Sequence, residues 1–178
     1  MSLKPFNSFI FLCLFLIPQF TFSQQVKKLR VDGSPTLDFA RYEGESMWGF
    51  GAHLKLLWTP GNNKNAFGFG IDFDRLSHKS LYNGETSTYT FTVASIGYRI
   101  RMNSFYVEPQ AGGGFYKELY RETDYNAGCF FLGLEPGIEK KRFSFSINYR
   151  FISADGLVFG EQFNMFSAKI GYMLVGTR

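Results

Sequence analysis

The fold is decided by Met47 to Trp58, MWGFGAHLKLLW. Every even position in it is apolar: Trp48, Phe50, Ala52, Leu54, Leu56 and Trp58. The odd positions are Gly49, Gly51, His53, Lys55 and Leu57. Alternation with a period of two marks a strand with unlike faces. Ten residues at ~3.3 Å each rise roughly 33 Å, and a tilt of ~45° reduces this to roughly 23 Å. That height is close to the ~25 Å apolar band of a transmembrane β-barrel. Tryptophan, an apolar ring with one N–H donor, prefers the membrane–water interface. Trp48 and Trp58 therefore bracket one bilayer crossing.

The same alternation returns along the chain. It covers Ala66–Leu76, Ser87–Met102, Phe105–Tyr116, Ala127–Glu139, Arg142–Ile152 and Phe163–Val175. With the opening stretch this makes seven clear strands. The connections alternate between short turns, at Met102–Ser104 and Lys140–Lys141, and longer polar stretches, Ser77–Thr86, Lys117–Asn126 and Ser153–Gln162. Outer-membrane barrels have short periplasmic turns and long external loops. If the last strand runs downward, Met47–Trp58 runs downward too, with Trp48 in the outer belt and Trp58 in the inner. An upward strand must then precede it, and the weakly patterned segment around Leu29 to Arg41 supplies the eighth. Pro109 and Pro136 stand in mid-strand, where a backbone donor is lost, and bulges or broken pairing are expected there.

Residues 1–23 read as a cleaved signal peptide: Lys4, an apolar run from Phe9 to Leu16, and small residues Thr21 and Ser23 before Gln24. Residues 24–178 then form the barrel domain. No later segment reaches ~18 consecutive apolar residues, so no helix is expected to span a membrane. Cys129 is the one cysteine outside the signal segment and reads as a small apolar strand residue. The formal charge of +4 is not gathered into blocks, which argues against a nucleic-acid partner.

The glycines Gly49, Gly51, Gly68, Gly70, Gly97, Gly112, Gly114, Gly133, Gly137 and Gly171 fall on the more polar faces. In a soluble sheet they would weaken the solvated side. In a narrow barrel they make room for large lumen neighbours. The lumen is then expected to hold a charge network of His53, Lys55, Asp72, Asp74, Arg99, Glu108, Glu135, Arg150 and Lys169, with Gln110 and Asn148. Turn geometry places Arg99 across from Glu108, His53 near Asp72, and Glu135 near Ser146 or Asn148. Trp48, Trp58, Tyr98, Tyr149 and Tyr172 are the expected membrane-interface aromatics.

The signal segment, the hairpin FYVEPQAGGGFY (105–116) and the closing strand SAKIGYMLVGTR (167–178) together resemble the small outer-membrane β-barrel, porin-like family of Gram-negative bacteria. Gly176-Thr177-Arg178 depart from that pattern, since many such barrels end on an aromatic. The resemblance implies an all-β, eight-stranded antiparallel up-and-down transmembrane β-barrel in the outer membrane, following a cleaved signal peptide. Its role would be structural, or interaction, or a narrow porin-like channel with a filled polar lumen. Implied partners are the outer-membrane bilayer and its lipopolysaccharide, the outer-membrane assembly machinery, and an external ligand through the loops. Tyr82, Tyr120, Tyr125 and Phe159 are the exposed loop candidates for that ligand. Two alternatives stand beside this reading: a secreted lipocalin-like barrel enclosing a small apolar ligand, and a lipid-modifying outer-membrane enzyme. No enzyme activity is expected. His53 with Asp72 lacks a clear serine partner, although Ser95 and Ser167 share its face. His78 reads as a solvated loop residue. No cluster has metal-ligand spacing, and no cofactor is implied.

Overall fold

A computed structural model describes residues 28–42, 44–61, 64–79, 86–120, 123–154 and 161–176. The signal segment, and Tyr82 and Phe159, lie outside the described residues. Among those described, eight strands follow one another: β1 Lys28–Tyr42, β2 Glu45–Thr59, β3 Ala66–Lys79, β4 Thr86–Met102, β5 Phe105–Tyr120, β6 Thr123–Lys140, β7 Phe143–Ala154 and β8 Glu161–Val175. Each pairs antiparallel with the next, and β1 closes on β8, with Phe39 opposite Phe166. Closure leaves no free sheet edge and gives every strand a partner on both sides, which a hydrocarbon surround requires.

The strands outrun their apolar stripes. His78 and Lys79 belong to β3 and pair with Ser87 and Thr86. Most of the expected loop Lys117–Asn126 is hairpin: Lys117 pairs with Asn126, Glu118 with Tyr125, and Tyr120 with Thr123. The expectation of a long polar loop there is corrected. Polar side chains end the apolar belt without ending backbone pairing. β1 matches its expected place and pairs with β2 in unbroken register, Leu29 opposite Trp58 and Phe39 opposite Trp48.

Among the described residues, two turns put a residue other than glycine in the left-handed region, Asn103 (φ 59°) and Lys141 (φ 54°). Asparagine takes this conformation readily; for lysine it is uncommon. At Pro109 the β4–β5 pairing lapses between Gly97–Gln110 and Ile100–Val107, and resumes in the same register. At Pro136 the β6–β7 pairing lapses between Leu134–Tyr149 and Gly137–Ser146, again without a shift. Pro35 coincides with a third gap, between β1 and β8. The prolines thus interrupt the ladder on one side only and produce no bulge, because the missing N–H faces one neighbour. The register shift between β1 and β8 lies elsewhere, at Val31/Asp32.

The two faces are sharply different. Trp48 and Phe50 are both 63% exposed, and Leu54, Ile71, Ile96, Leu132, Phe145 and Ile170 are exposed with them. His53, Lys55, Asp74 and Arg150 on the opposite faces are 5%, 3%, 0% and 0% exposed. The molecule wears its apolar residues outside and its charges inside. Eight strands leave an interior only wide enough for side chains, so the lumen is a packed core.

Candidate functional site

The lumen has two layers. The half nearer the short turns is ionic. Arg99, on β4, donates from Nε to Glu108 Oε2 at 2.7 Å and from Nη1 to Glu139 Oε1 at 2.5 Å. Its guanidinium lies 4.0 Å over the Tyr106 ring. Arg30 grips Asp32 with two donors at 2.5 Å each and reaches Glu139 at 3.2 Å. Lys55 donates to Glu108 Oε1 at 2.9 Å and Glu135 Oε2 at 3.2 Å. Glu135 also accepts from Tyr106 Oη at 2.8 Å, Gln110 Nε2 at 3.0 Å and Lys169 Nζ at 3.4 Å. Lys169 Nζ stands 2.8 Å from His53 Nδ1 and 3.5 Å from Asp72 Oδ1. Arg150 reaches Asp74 at 2.9 Å, Asp72 at 3.7 Å and Ser167 Oγ at 3.0 Å.

These charges can be buried because each is surrounded by opposite charge and donors; alone, any of them would carry a large desolvation cost. The strands place them by register. Alternation turns one residue in two inward, and the rungs set them opposite one another: His53 faces Asp72 across β2–β3, and the two ring and carboxylate atoms lie 3.5 Å apart. The register on either side of the Pro136 lapse sets Glu135 opposite Asn148. Gln110 links the two: Asn148 Nδ2 donates to Gln110 Oε1 at 3.3 Å, and Gln110 Nε2 donates to Glu135 Oε2 at 3.0 Å.

Sequence reasoning missed three members of this layer, Arg30, Asp32 and Glu139, along with Asp38, which Thr36 Oγ1 bonds at 2.9 Å. The first three belong to strand ends, and β1 was weakly patterned. Their parity with Lys55 and Arg99 was the available signal.

The half nearer the loops is aromatic, and no expectation covered it. Phe163 stacks on Tyr42 at 4.6 Å between centroids and touches Phe91, Tyr116 and Tyr89 at 5.3, 5.5 and 5.8 Å. Met47, Leu76, Phe131, Ile152 and Met165 complete this buried cluster. These residues share strand faces with charges, so alternation alone grouped them with the polar side. The signal lay in position: inward residues near the loop ends are apolar on strand after strand. Tyr125, exposed as expected, leans on Tyr116 at 6.2 Å. His78 is not solvated. It holds the rim of the barrel, paired with the Glu45 carboxylate and 3.3 Å from the Ser46 carbonyl, because β3 continues beside the start of β2.

Outside, aromatics form ladders near both ends of the belt. Trp58 stacks on Phe67 at 5.7 Å, and Phe67 meets Tyr98 at 5.1 Å. Phe143 meets Tyr172 at 5.2 Å, and Tyr149 meets Phe166 at 4.9 Å while its hydroxyl donates to Asn164 at 2.7 Å.

No protein-family model matches the sequence, and no curated protein matches it significantly. Solved structures do. Neisserial surface protein A superposes with a TM-score of 0.54 at 13% identity, over 80% of this chain and 94% of that one. Ail, the attachment invasion locus protein of Yersinia pestis, gives 0.54 at 13% identity, over 83% of this chain and 99% of that one. Closed β1-to-β8 order, an apolar exterior and a charged interior agree with that likeness, and the chain has the fold of the eight-stranded outer-membrane β-barrels.

Proposed function

We propose that this chain is an integral outer-membrane protein whose lumen is sealed and whose role is structural or lies in interactions at its external end. The observation that carries this reading is the inverted distribution of polarity: a continuous exposed apolar belt around a buried ionic and aromatic core. A secreted lipocalin-like barrel would line its cavity with apolar side chains and offer charges to water; here Phe50, Leu54 and Ile71 point outward and Asp72, Asp74 and Lys55 inward. A hydrolytic reading needs a nucleophile and base open to substrate. His53 is 5% exposed, and its Nδ1 is held by Lys169 and Asp72. Against a pore, the Phe163 cluster fills one half of the interior and the Arg99–Glu108–Lys55–Glu135 network fills the other.

Export after removal of residues 1–23, folding by the outer-membrane assembly machinery, contact with lipopolysaccharide and binding of an external ligand at the loops belong to the same proposal. Reconstitution tests it. The chain refolded into vesicles should resist extraction with alkaline carbonate and add no stepwise conductance to planar bilayers. Release by carbonate would overturn the membrane reading; discrete channel openings would overturn the sealed lumen.

A further inference from the structure

The short-turn end of the barrel carries the connections from β2 to β3, β4 to β5 and β6 to β7. Lys64 lies in the first, Arg101 leads into the second, and Lys140, Lys141 and Arg142 form the third. Lys64, Lys140, Lys141 and Arg142 are exposed, and among the described residues none of them pairs with a carboxylate. The acids at this end, Asp32 and Glu139, are buried against Arg30, Arg99 and Arg101. Its exposed surface therefore carries cations and, among the described residues, no acid. The loop end differs, with Glu45 and Glu118 part-exposed at its rim.

Bonds between turns hold these cations in one surface. Arg101 Nη1 donates to the Lys64 carbonyl at 2.9 Å, and the Arg101 amide donates to Asn65 Oδ1 at 3.1 Å. The Glu139 amide donates to the Ser104 carbonyl at 2.7 Å, and the Met173 amide to the Arg142 carbonyl at 2.8 Å. Neighbouring turns are two strand spacings, about 10 Å, apart. Lys64 lies beyond the Trp58–Phe67 rung and Lys141 beyond the Lys140–Phe143 rung, so both stand past the inner aromatic belt. Phospholipid headgroups surround the barrel at the level of that belt; this array closes its lower end. The exposed turn residues Gly61, Lys64, Asn103, Ser104, Lys141 and Arg142 include no apolar side chain. A protein interface centres on aromatic or aliphatic anchors, which this face lacks. What fits is an acidic polymer lying parallel to the membrane, whose repeated carboxylates meet separate cations at once.

We infer that the short-turn end docks on peptidoglycan, the polymer beneath the outer membrane whose peptide stems carry free carboxylates. Lys64, Lys140, Lys141 and Arg142 bind those carboxylates. This rests on the outer-membrane reading above, which sets the short turns in the periplasm. The test pellets the full chain, folded in zwitterionic micelles, with insoluble peptidoglycan and reads the bound fraction. Lys64→Gln/Lys140→Gln/Arg142→Gln is compared with Arg41→Gln/Arg75→Gln/Lys79→Gln, which removes the same charge from the loop end. Lys141 stays, because its left-handed backbone is sensitive to replacement. All six substituted positions are exposed, so both variants should fold, read as resistance to proteolysis. Three cations at an anionic surface correspond to roughly 100-fold in affinity. The short-turn variant should lose about that factor, amidation of the peptidoglycan carboxylates should do the same to the unmodified chain, and the loop-end variant should bind like the unmodified chain. Undiminished binding by the short-turn variant, or an equal loss in the loop-end variant, would overturn the site. So would loss of pelleting when phosphatidylglycerol is added to the micelles, which would make the face a lipid site. A chain that resists carbonate in vesicles yet does not pellet overturns the docking alone. Release by carbonate overturns the outer-membrane reading and the docking with it.

Discussion

Arg99 and Glu108 meet across the β4–β5 hairpin, nine residues apart in sequence, with Nε donating to Oε2 at 2.7 Å inside the lumen. Neither serves the other alone: Arg99 also holds Glu139, and Glu108 also accepts from Lys55. Simple reversal of the pair would set a carboxylate at position 99 against Glu139 and Glu135, so a charge swap should recover little. Neutral substitutions isolate the bond better. In a cycle of Arg99→Gln and Glu108→Gln, measured by urea unfolding from vesicles, a coupling of about 1–3 kcal/mol is expected. Strict additivity would show that the two side chains act independently.

Arg150 should be the costliest single lumen residue to remove. It is fully buried and faces Asp74 and Asp72 at 2.9 and 3.7 Å. Arg150→Met leaves these carboxylates short of a cation, a loss of about 3–5 kcal/mol. Adding Asp74→Asn should return part of it. A double variant no more stable than Arg150→Met would place the cost in lost packing instead.

Asp38 presents the opposite case. Among the described residues, buried carboxylates outnumber buried lysines and arginines, and Asp38 Oδ1 has no hydrogen-bond partner. Asp38→Asn keeps the shape and removes one charge. A gain of about 1 kcal/mol is expected in the same unfolding assay. Clear destabilisation would mean that the carboxylate is balanced by a partner beyond those described.

Gly137 lies directly opposite Tyr106 across β5–β6, and the tyrosine ring covers it. A Cβ there would stand 2.5 Å from Tyr106 Cζ, while one at Gly128 would meet nothing within 4 Å. Gly137→Ala must push the ring away from Glu135, its 2.8 Å partner, and should cost about 1–3 kcal/mol. Gly128→Ala, on the outer face, should be neutral within about 0.5 kcal/mol. Equal effects at the two sites would sink this account of the glycine.

Phe163→Ala removes the ring on which Tyr42, Tyr89, Phe91 and Tyr116 converge, and should cost about 3–5 kcal/mol. It should not create conductance, because the ionic layer below still fills the bore. Stepwise currents from this variant alone would show that the aromatic layer is the sole seal.

What the sequence by itself determined was the set of strands and the two faces of each. Alternation is a local property, readable within Met47–Trp58 or Arg142–Ile152. Once the glycines on the polar faces argued for a narrow interior, parity sent His53, Lys55 and Asp72 inward and Trp48 and Phe50 outward. The hairpin at Asn103 made even the Arg99–Glu108 contact legible, since a tight turn sets the register of both strands. The tertiary structure alone decided what depends on non-neighbouring strands and on depth. Lys169 reaches His53 because closure seats β8 against β1, with only that strand between β8 and β2. Glu135 is held by three cations from other strands, Lys55, Lys169 and Arg99, which its own hairpins do not reveal. Phe163, Phe91 and Tyr116 form a plug because strands of unlike length and pattern bring their inward apolar positions to one level. Polarity alternates along a strand, but the height at which a side chain sits in the barrel is set only when all eight are staggered and closed.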